Sequence, residues 1–182
     1  MLPRSYLFVP GDRPDRFEKA RMAGAHVAIL DLEDAVAPEH KDHARTQIAA
    51  WLAEMRPMYV RINGPLTPQF AADLAVLALP GVAGVLVPKV EAPGDLAAVA
   101  AALPGDAPIV PIVETARGVW DAQAIAAHPR VPRLIFGSWD FGLDVGIPGD
   151  GIELLYARSH IVLMSRLAGK QPPVDGVTTA LD

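Results

Sequence analysis

The 182-residue chain contains no cysteine, and this absence excludes several kinds of chemistry at once. Without thiols the chain has no disulfide, no zinc–thiolate site and no cysteine nucleophile. It also lacks the run of about 18 apolar residues that a membrane-spanning helix needs. Its first residues do not form the long apolar segment of a secretory signal peptide. We therefore predict a cytoplasmic protein with no membrane partner.

The sequence motifs of several enzyme classes are missing as well. The chain has neither GxGxxG nor GxxxxGK[ST], which disfavours dinucleotide binding and P-loop chemistry. It has no GxSxG and no HExxH, which disfavours a serine hydrolase and a histidine-bound metal site. The 16 basic residues are outnumbered by 21 acidic ones, and the formal charge of −5 argues against a nucleic-acid partner.

The sequence does contain a regular alternation of short apolar runs and helical patterns. Hydrophobic residues make up 51% of the chain, which is ample material for a core. The apolar runs are almost continuously hydrophobic, which is typical of parallel strands that are covered on both faces. They occupy residues 6–10, 27–32, 58–62, 84–90, 109–113, 134–136 and, more weakly, 173–177.

Helices are predicted between these strands. Over residues 39–55 an apolar stripe with helical spacing predicts an amphipathic helix; its members are Ala44, Ile48, Trp51, Leu52 and Met55. The segment 152–167 is apolar on nearly every side, and we interpret this pattern as a helix buried on two sides. One of those sides is a candidate subunit interface.

Alternating strands and helices predict an α/β fold, either an open doubly wound sheet or a (β/α)₈ barrel. Polar residues end at least four of the strands, and a barrel brings all its strand ends to one mouth, so we favour the TIM barrel. A complete barrel takes about 250 residues. We therefore predict a single TIM-barrel domain over residues 1–182 that lacks its eighth strand and C-terminal segment. Unpaired sheet edges would then be covered by further chain or by other subunits.

Two carboxylates stand where apolar runs give way to polar residues. Glu114 follows the run 109–113, and Asp140 comes shortly after the run 134–136. Oxygen ligands alone make a site for a hard cation such as Mg²⁺. The alternative is that each residue only caps the following helix. The pair together favours the metal site.

A second polar group surrounds the second and third strands. Asp31, Glu33 and Asp34 follow one another so closely that their charges need compensation. Arg61 has two possible roles: an internal ion pair with Asp31 or Glu33, or a planar fork for a substrate carboxylate. Glu33 and Asp34 are interpreted as partners of metal-bound water or as a base, and the alternative is a solvated loop.

Several basic residues also end strands or begin helices. Lys89 is either a Schiff-base lysine of the class I aldolase kind or half of a structural ion pair, and the carboxylate pair favours the ion pair. Arg13, Arg16 and Lys19 fit an anionic cofactor tail and a solvated helix face equally well. No role is assigned to any histidine.

Seven segments in order resemble the citrate lyase β-subunit-like group of the HpcH/HpaI aldolase superfamily. They are RSYLFVPGDRPDRFEKA, VAILDLEDAV, YVRING, VLVPKVE, IVPIVETARGV, FGSWDFGLDVGI and LLYARSHIV. The resemblance covers nearly the whole chain. It implies a (β/α)₈ barrel, commonly trimeric or hexameric, that cleaves or forms a carbon–carbon bond in 3-hydroxyacyl-CoA thioesters such as citryl-CoA or malyl-CoA.

The resemblance also implies residue roles. Glu114 and Asp140 match Mg²⁺ ligands, and Arg61 matches the arginine that binds the carboxylate and carbonyl of the keto acid. Backbone N–H groups around Ser138 and Trp139 would hold the same carboxylate. The acidic pair near the metal waters is matched by Glu33 and Asp34.

The sequence departs from the family pattern in two ways. Many members have an acidic residue where this chain has Trp139, a change that we associate with a citrate-lyase-β-like subgroup. The sequence also ends at DGVTTALD, within or just after the seventh predicted strand. The family's last strand and C-terminal segment are therefore absent from these 182 residues.

The expected function is a Mg²⁺-dependent carbon–carbon lyase that releases a keto acid and an acyl-CoA. The first alternative is a malyl-CoA-type thioester hydrolase with the same metal site. The second is a non-catalytic or incomplete barrel that needs a partner. The expected partners are CoA thioesters, keto acids and further copies of the chain in a homotrimer or hexamer.

Overall fold

A computed structural model describes residues 2–54 and 56–177. It divides the chain into two compact units. The first unit comprises Met1–Val87 and Ala98–Ile109, and the second comprises Pro88–Ala97 and Val110–Asp182. The prediction of one barrel domain over residues 1–182, without an eighth strand, stays a prediction. The α/β class is confirmed, because parallel strands alternate with helices in both units.

The first unit is built on a parallel sheet whose strands follow one another in sequence order. Its strands are β1 (Tyr6–Pro10), β2 (Val27–Asp31), β3 (Met58–Arg61) and β4 (Val82–Val87). In the register of the sheet Leu30 faces Val60, and Val60 faces Val85. All three side chains are completely buried, as expected of a sheet with both faces covered.

The helices of the described residues include one that matches its predicted stripe closely. They are α1 (Phe17–Met22), α2 (Lys41–Ala53), α3 (Phe70–Leu77), α4 (Ala97–Ala102), α5 (Ala116–Trp120), α6 (Ala122–Ala126), α7 (Ser138–Val145) and α8 (Leu155–Leu167). In α2 the side chains of Ala44, Ile48 and Leu52 are fully buried, which confirms the predicted apolar face. Met55, the last member of that stripe, lies outside the described residues.

The fourth strand ends earlier than the apolar run suggested. β4 stops at Val87, whereas the run extends to Val90. Pro88 cannot donate a backbone hydrogen bond to a neighbouring strand. Lys89 then turns the chain with a φ of +53°, the only positive φ among the non-glycine residues that the structure describes. Both residues end the extended conformation before the apolar pattern ends.

The second unit contains the parallel strands β5 (Ile109–Val113, of which Val110 onward belongs to this unit) and β6 (Ile135–Phe136). The predicted seventh strand is a single parallel bridge at Val174, whose backbone pairs with Leu134 and Phe136 at 2.9 Å. Prolines directly before this position lack an N–H group and limit further pairing. Residues 178–182, where the sequence ends, lie outside the described part of the chain.

Helix α8 differs from the expectation of burial on two sides. One face is buried through Ala157, Ile161 and Ser165. A second, largely apolar surface is exposed; its members are Leu155, Tyr156, Val162, Leu163 and Leu167. Burial of that surface against another subunit stays a prediction. In residues 2–54 and 56–177, no helix is both long and apolar enough to cross a membrane.

A buried polar network fixes the turn that follows β2. The ammonium group of Lys41, in the first turn of α2, donates to the backbone oxygens of Leu32 and Glu33 at 2.6 Å and to Oδ1 of Asn63 at 3.0 Å. Burial lowers the pKa of Lys41, and the charges of Asp31 and Asp73 oppose that shift. The lysine thereby holds the backbone of residues 32 and 33 against α2.

The completely buried carboxylate of Asp73 extends the network toward α3. It accepts hydrogen bonds from the backbone and side-chain nitrogens of Asn63 at 2.7 Å and from Nε of Arg45 at 2.7 Å. Sequence reasoning missed Lys41, Arg45 and Asp73. A signal was present, because Lys41 has the helical spacing of Ala44 and places a charge on the apolar face of α2.

Replacing Lys41 with methionine should lower the free energy of unfolding by about 1–3 kcal/mol. The variant keeps the length and apolar stem of the side chain but removes one donor from three buried acceptors. The backbone oxygens of Leu32 and Glu33 keep hydrogen bonds from Asn63 and Val36, whereas Oδ1 of Asn63 loses its ammonium donor. Urea unfolding followed by circular dichroism measures the change. Lys19→Met, at an exposed lysine of α1, is the matched control and should shift stability by less than about 0.5 kcal/mol. Equal stabilities of the two variants would contradict the importance of the network.

Candidate functional site

The second unit brings Glu114 and Asp140 to a common cationic group. Glu114 directly follows β5, and Asp140 lies in the first turn of α7. The ammonium nitrogen of Lys89 lies 3.2 Å from Oδ1 of Asp140 and 3.9 Å from Oε1 of Glu114. The two carboxylates therefore converge on one positive charge, and the ion-pair interpretation of Lys89 is confirmed.

Neither carboxylate acts as a helix cap. Thr115 caps α5, since its hydroxyl accepts a hydrogen bond from the backbone N–H of Gly118 at 3.1 Å. The capping position of α7 is Gly137, which has no side chain. Asp140 in the first helical turn is favoured by the helix dipole but is not used to cap the helix. The capping alternative is thus wrong for both residues.

Two backbone features place Glu114. The backbone N–H group of Lys89 donates to Oε1 of Glu114 at 2.9 Å. A Cβ atom at Gly137 would collide with its Oε2, so glycine at this position leaves the volume that the glutamate side chain needs. Glu114 is 4% exposed, whereas the side chain of Asp140 is 31% exposed. The pair thus combines one buried carboxylate with one that solvent can reach.

This donor set fits a hard divalent cation. Mg²⁺ in proteins is commonly held by one or two carboxylates, with waters or substrate oxygens as the remaining ligands. The structure supplies two carboxylates around one cationic position. Within residues 2–54 and 56–177 no cluster of three or more His, Asp or Glu side chains is arranged as a metal site.

Ser138 and Trp139 begin α7, directly before Asp140 in the sequence. The backbone N–H groups in the first turn of a helix have no acceptor within the helix. Ser138 is buried, while Trp139 is exposed. Both residues line an open cavity of about 650 Å³, whose wall is completed by Gly142, Leu143 and residues 146–150. Trp139 and Leu143 give this cavity a largely apolar rim.

In the first unit Arg61 forms a buried ion pair with Asp31. Its Nε lies 2.7 Å from Oδ1 and its Nη2 lies 2.5 Å from Oδ2 of the aspartate, a bidentate arrangement. Nη1 lies 2.8 Å from Oε2 of Glu33, and Asp34 is 4.0 Å away. The guanidinium also lies over the ring of Phe8, 4.7 Å from its centroid. The internal ion pair considered from the sequence is therefore present.

Opposing effects act on the pKa of Arg61. Burial of the guanidinium lowers the pKa. The hydrogen bonds and charge of Asp31, together with the charges of Glu33 and Asp34, raise the pKa by more than burial lowers it. The net result is a pKa above the ordinary value. Arg61 is thus a permanent positive charge that is held in one orientation, with its Nη1 edge toward the two acidic residues.

The basic residues at the first helix show no common arrangement. Arg13 pairs with Asp15 through two hydrogen bonds of 3.0 and 2.9 Å, and both side chains are substantially exposed. Arg16 and Lys19 are exposed as well. Whether these residues meet an anionic cofactor tail stays a prediction.

Comparison with known proteins supplies the context for these groups. Residues 4–182 match the family model HpcH/HpaI aldolase/citrate lyase. The chain is 39% identical to a citrate lyase subunit beta-like protein of Deinococcus radiodurans, over 100% of the chain and 68% of the relative. It is also 39% identical to a (3S)-malyl-CoA thioesterase of Cereibacter sphaeroides, over 86% of the chain and 60% of that protein.

A solved structure of the same family has a fold similar to that of this chain. The citrate lyase beta subunit of M. tuberculosis, complexed with oxaloacetate and magnesium, is 32% identical, with a TM-score of 0.85 over 98% of this chain and 80% of that chain. The chain spans only 60% to 68% of the length of the two curated relatives above. The family match extends over almost every residue, and so the chain belongs to the HpcH/HpaI aldolase/citrate lyase family.

Proposed function

We propose that this chain carries the catalytic site of a Mg²⁺-dependent lyase. The substrate would be a 3-hydroxyacyl-CoA thioester of the citryl-CoA or malyl-CoA type, and the products a keto acid and an acyl-CoA. The observation that carries the proposal is the convergence of Glu114 and Asp140 on one cationic position. A family member of similar fold is complexed with oxaloacetate, a keto acid, and magnesium.

Glu114 and Asp140 would hold the metal ion. Bound there, Mg²⁺ would supply Lewis-acid polarisation of the oxygen at the carbon where the bond breaks. The protein holds the Glu114 ligand in place in two ways. The backbone N–H of Lys89 donates a hydrogen bond to its carboxylate, and Gly137 leaves open the volume that its side chain occupies.

Arg61 is proposed to bind the anionic end of the keto acid. Asp31 takes up Nε and one N–H of Nη2, and Nη1 lies 2.8 Å from Oε2 of Glu33, so a ligand would use the second N–H of Nη2 and the N–H of Nη1 that does not face Glu33. A permanent charge held in one orientation stabilises an oxygen that becomes negative, because no reorganisation is needed during the reaction. The ion pair with Asp31 is in this view the support of the substrate-binding arginine and does not compete with it.

The proton of the substrate hydroxyl must be accepted by a base. As that proton leaves, the carbon–carbon bond breaks and its electron pair passes to the thioester fragment, which becomes an acyl-CoA once protonated. Glu33 and Asp34 are both candidates for the base. Both lie beside Nη1 of Arg61, with Oε2 of Glu33 at 2.8 Å and Oδ2 of Asp34 at 4.0 Å. The side chain of Asp34 is 63% exposed, which makes it accessible to a bound substrate.

Backbone N–H groups at Ser138 and Trp139 are proposed to bind the keto-acid carboxylate. They lie at the start of the eight-residue helix α7, where N–H groups lack intrahelical acceptors and the helix dipole favours negative charge. The cavity next to them has room for a small acid.

Thioester hydrolysis is the second candidate, because one of the relatives is a (3S)-malyl-CoA thioesterase. In that reaction water attacks the thioester carbonyl, and the carbon–sulfur bond breaks instead of a carbon–carbon bond.

We also propose a cytoplasmic homotrimer or homohexamer. The exposed apolar surface of α8 supports association with further copies of the chain.

Product analysis with citryl-CoA and with malyl-CoA in the presence of Mg²⁺ tests the reaction. We expect a keto acid and an acyl-CoA in equal amounts, which chromatography of the CoA species and the free acids would detect. Free CoA together with the intact hydroxy acid would instead establish the thioesterase. Absence of turnover on both substrates, by folded protein, would refute both reactions and support a barrel that needs a partner.

The metal assignment predicts that Glu114→Gln and Asp140→Asn each weaken Mg²⁺ binding by more than about tenfold. Each change removes one negative charge and one strong oxygen ligand from a site with two. Isothermal titration with MgCl₂ measures the affinity without any substrate. Glu153→Gln, at an exposed glutamate of the same unit, is the matched control and should bind like the wild type. Unchanged affinity in both site variants would show that the metal lies elsewhere.

Arg61→Lys should weaken oxaloacetate binding by more than about tenfold, because lysine keeps the charge but cannot form a planar fork. Arg45→Lys is a closely matched control. The side chains of Arg45 and Arg61 are 13% and 14% exposed, and each pairs with a completely buried aspartate. Binding is measured by titration at saturating Mg²⁺, and thermal unfolding verifies that both variants fold. If the two variants bind oxaloacetate equally well, Arg61 has only its internal role.

A further inference from the structure

The backbone of Lys89 adopts a conformation that few side chains accept. Its φ of +53° lies in the left-handed region, which favours glycine because a Cβ atom meets the neighbouring carbonyl oxygen there. Such residues persist where the surrounding structure requires them, and they cluster at functional sites. Here the conformation aims the N–H group of Lys89 at Oε1 of Glu114, at 2.9 Å. The backbone geometry alone would be satisfied better by glycine.

The lysine side chain therefore needs a separate explanation. Its ammonium group lies 3.2 Å from Oδ1 of Asp140 and 3.9 Å from Oε1 of Glu114, and all three residues belong to the second unit. Two carboxylates that face one point repel each other unless a positive charge lies between them. The ammonium group supplies that charge. The two carboxylates that it contacts are also the ones proposed to hold the divalent ion.

We propose that Lys89 is the built-in counter-ion of the divalent-metal site and competes with the metal for Glu114 and Asp140. This inference rests on the proposed function, since it assumes that these two carboxylates bind Mg²⁺. Before the metal binds, the ammonium group holds the carboxylates together. When the metal binds, the ammonium group gives up these contacts and repels the ion, so the affinity is lower than two carboxylates alone would provide.

The counter-ion has a consequence for selectivity. An ion can enter this site only if it displaces the ammonium group. Its attraction to the two carboxylates must therefore be stronger than that of a single ammonium charge. Divalent ions gain more from each carboxylate than monovalent ions, because the Coulomb attraction scales with the charge of the ion. Lys89 would thus keep Na⁺ and K⁺ out of the site while Mg²⁺ enters. The backbone N–H of Lys89 holds Glu114 in place in both states, since it does not depend on the side chain.

The test is Mg²⁺ binding by Lys89→Met in the absence of substrate. Methionine keeps the length of the side chain and removes the charge, so affinity should increase by about tenfold or more. Lys89→Arg retains a positive charge and should bind Mg²⁺ within about threefold of the wild type. Lys170→Met, another lysine of the second unit, controls for a general loss of charge and should leave the affinity unchanged. Isothermal titration gives the affinities, and circular dichroism verifies folding.

The outcomes separate this inference from the proposed function. If wild type and Lys89→Met bind Mg²⁺ with equal affinity, or if the variant binds more weakly, the counter-ion role is wrong while the metal site stands. If neither protein binds Mg²⁺ and Glu114→Gln changes nothing, the metal site itself is wrong and the counter-ion role fails with it. Should Lys89→Met fail to fold, Lys89→Gly removes the same charge, suits the positive φ and is expected to show the same gain in affinity.

Discussion

The carboxylate of Asp31 is the constraint on which the first unit depends. It is completely buried at the end of β2, binds Arg61 at the end of β3 through both oxygens, and accepts the N–H groups of Glu33 and Ala35. Its own backbone oxygen accepts the N–H of Gly11 at 2.8 Å. One residue thereby ties together the ends of three strands and the turn between them. A buried charge with this many donors is costly to disturb, because loss of one partner leaves the others uncompensated.

Both units use the same electrostatic arrangement. Acidic residues at or shortly after strand ends are gathered around a basic residue from a neighbouring segment: Arg61 in the first unit and Lys89 in the second. The two basic side chains differ in how they can respond. The guanidinium is held by a bidentate pair and stays charged in one orientation, whereas the ammonium group on its flexible stem can leave its carboxylates. The difference matches the proposed roles of a fixed anion-binding group and a displaceable counter-ion.

Much of the fold could be predicted because hydrophobic patterns report burial directly. The continuous apolar runs placed β1 to β6, and the stripe of Ala44, Ile48 and Leu52 placed α2. The end of β4 and the run 173–177 were less accurate, because proline and a positive φ act on the backbone while the hydrophobic pattern continues. The polar partners of Lys41 could not be predicted either, since hydrogen bonds between distant segments leave no periodic signal.

The candidate site was predictable to a similar degree. Carboxylates at strand ends are visible in a sequence, and so Glu114 and Asp140 were found as a pair. The support of Glu114 by the backbone of Lys89 was not found, because a backbone N–H group has no sequence signature. Both roles of Arg61 follow from the sequence, but the sequence does not show that Asp31 lies within hydrogen-bond distance, which only the structure reveals.

The collision between position 137 and Glu114 makes the evolution of this site directional. The glutamate side chain fills the volume that a Cβ atom at Gly137 would occupy, so an alanine can be accepted there only after residue 114 has become smaller. A lineage that takes both steps, in that order, loses the carboxylate at position 114 and also the space that a glutamate needs there. Restoring glutamate at position 114 would then also require glycine to return at position 137. Loss of the carboxylate in a descendant would therefore tend to be permanent.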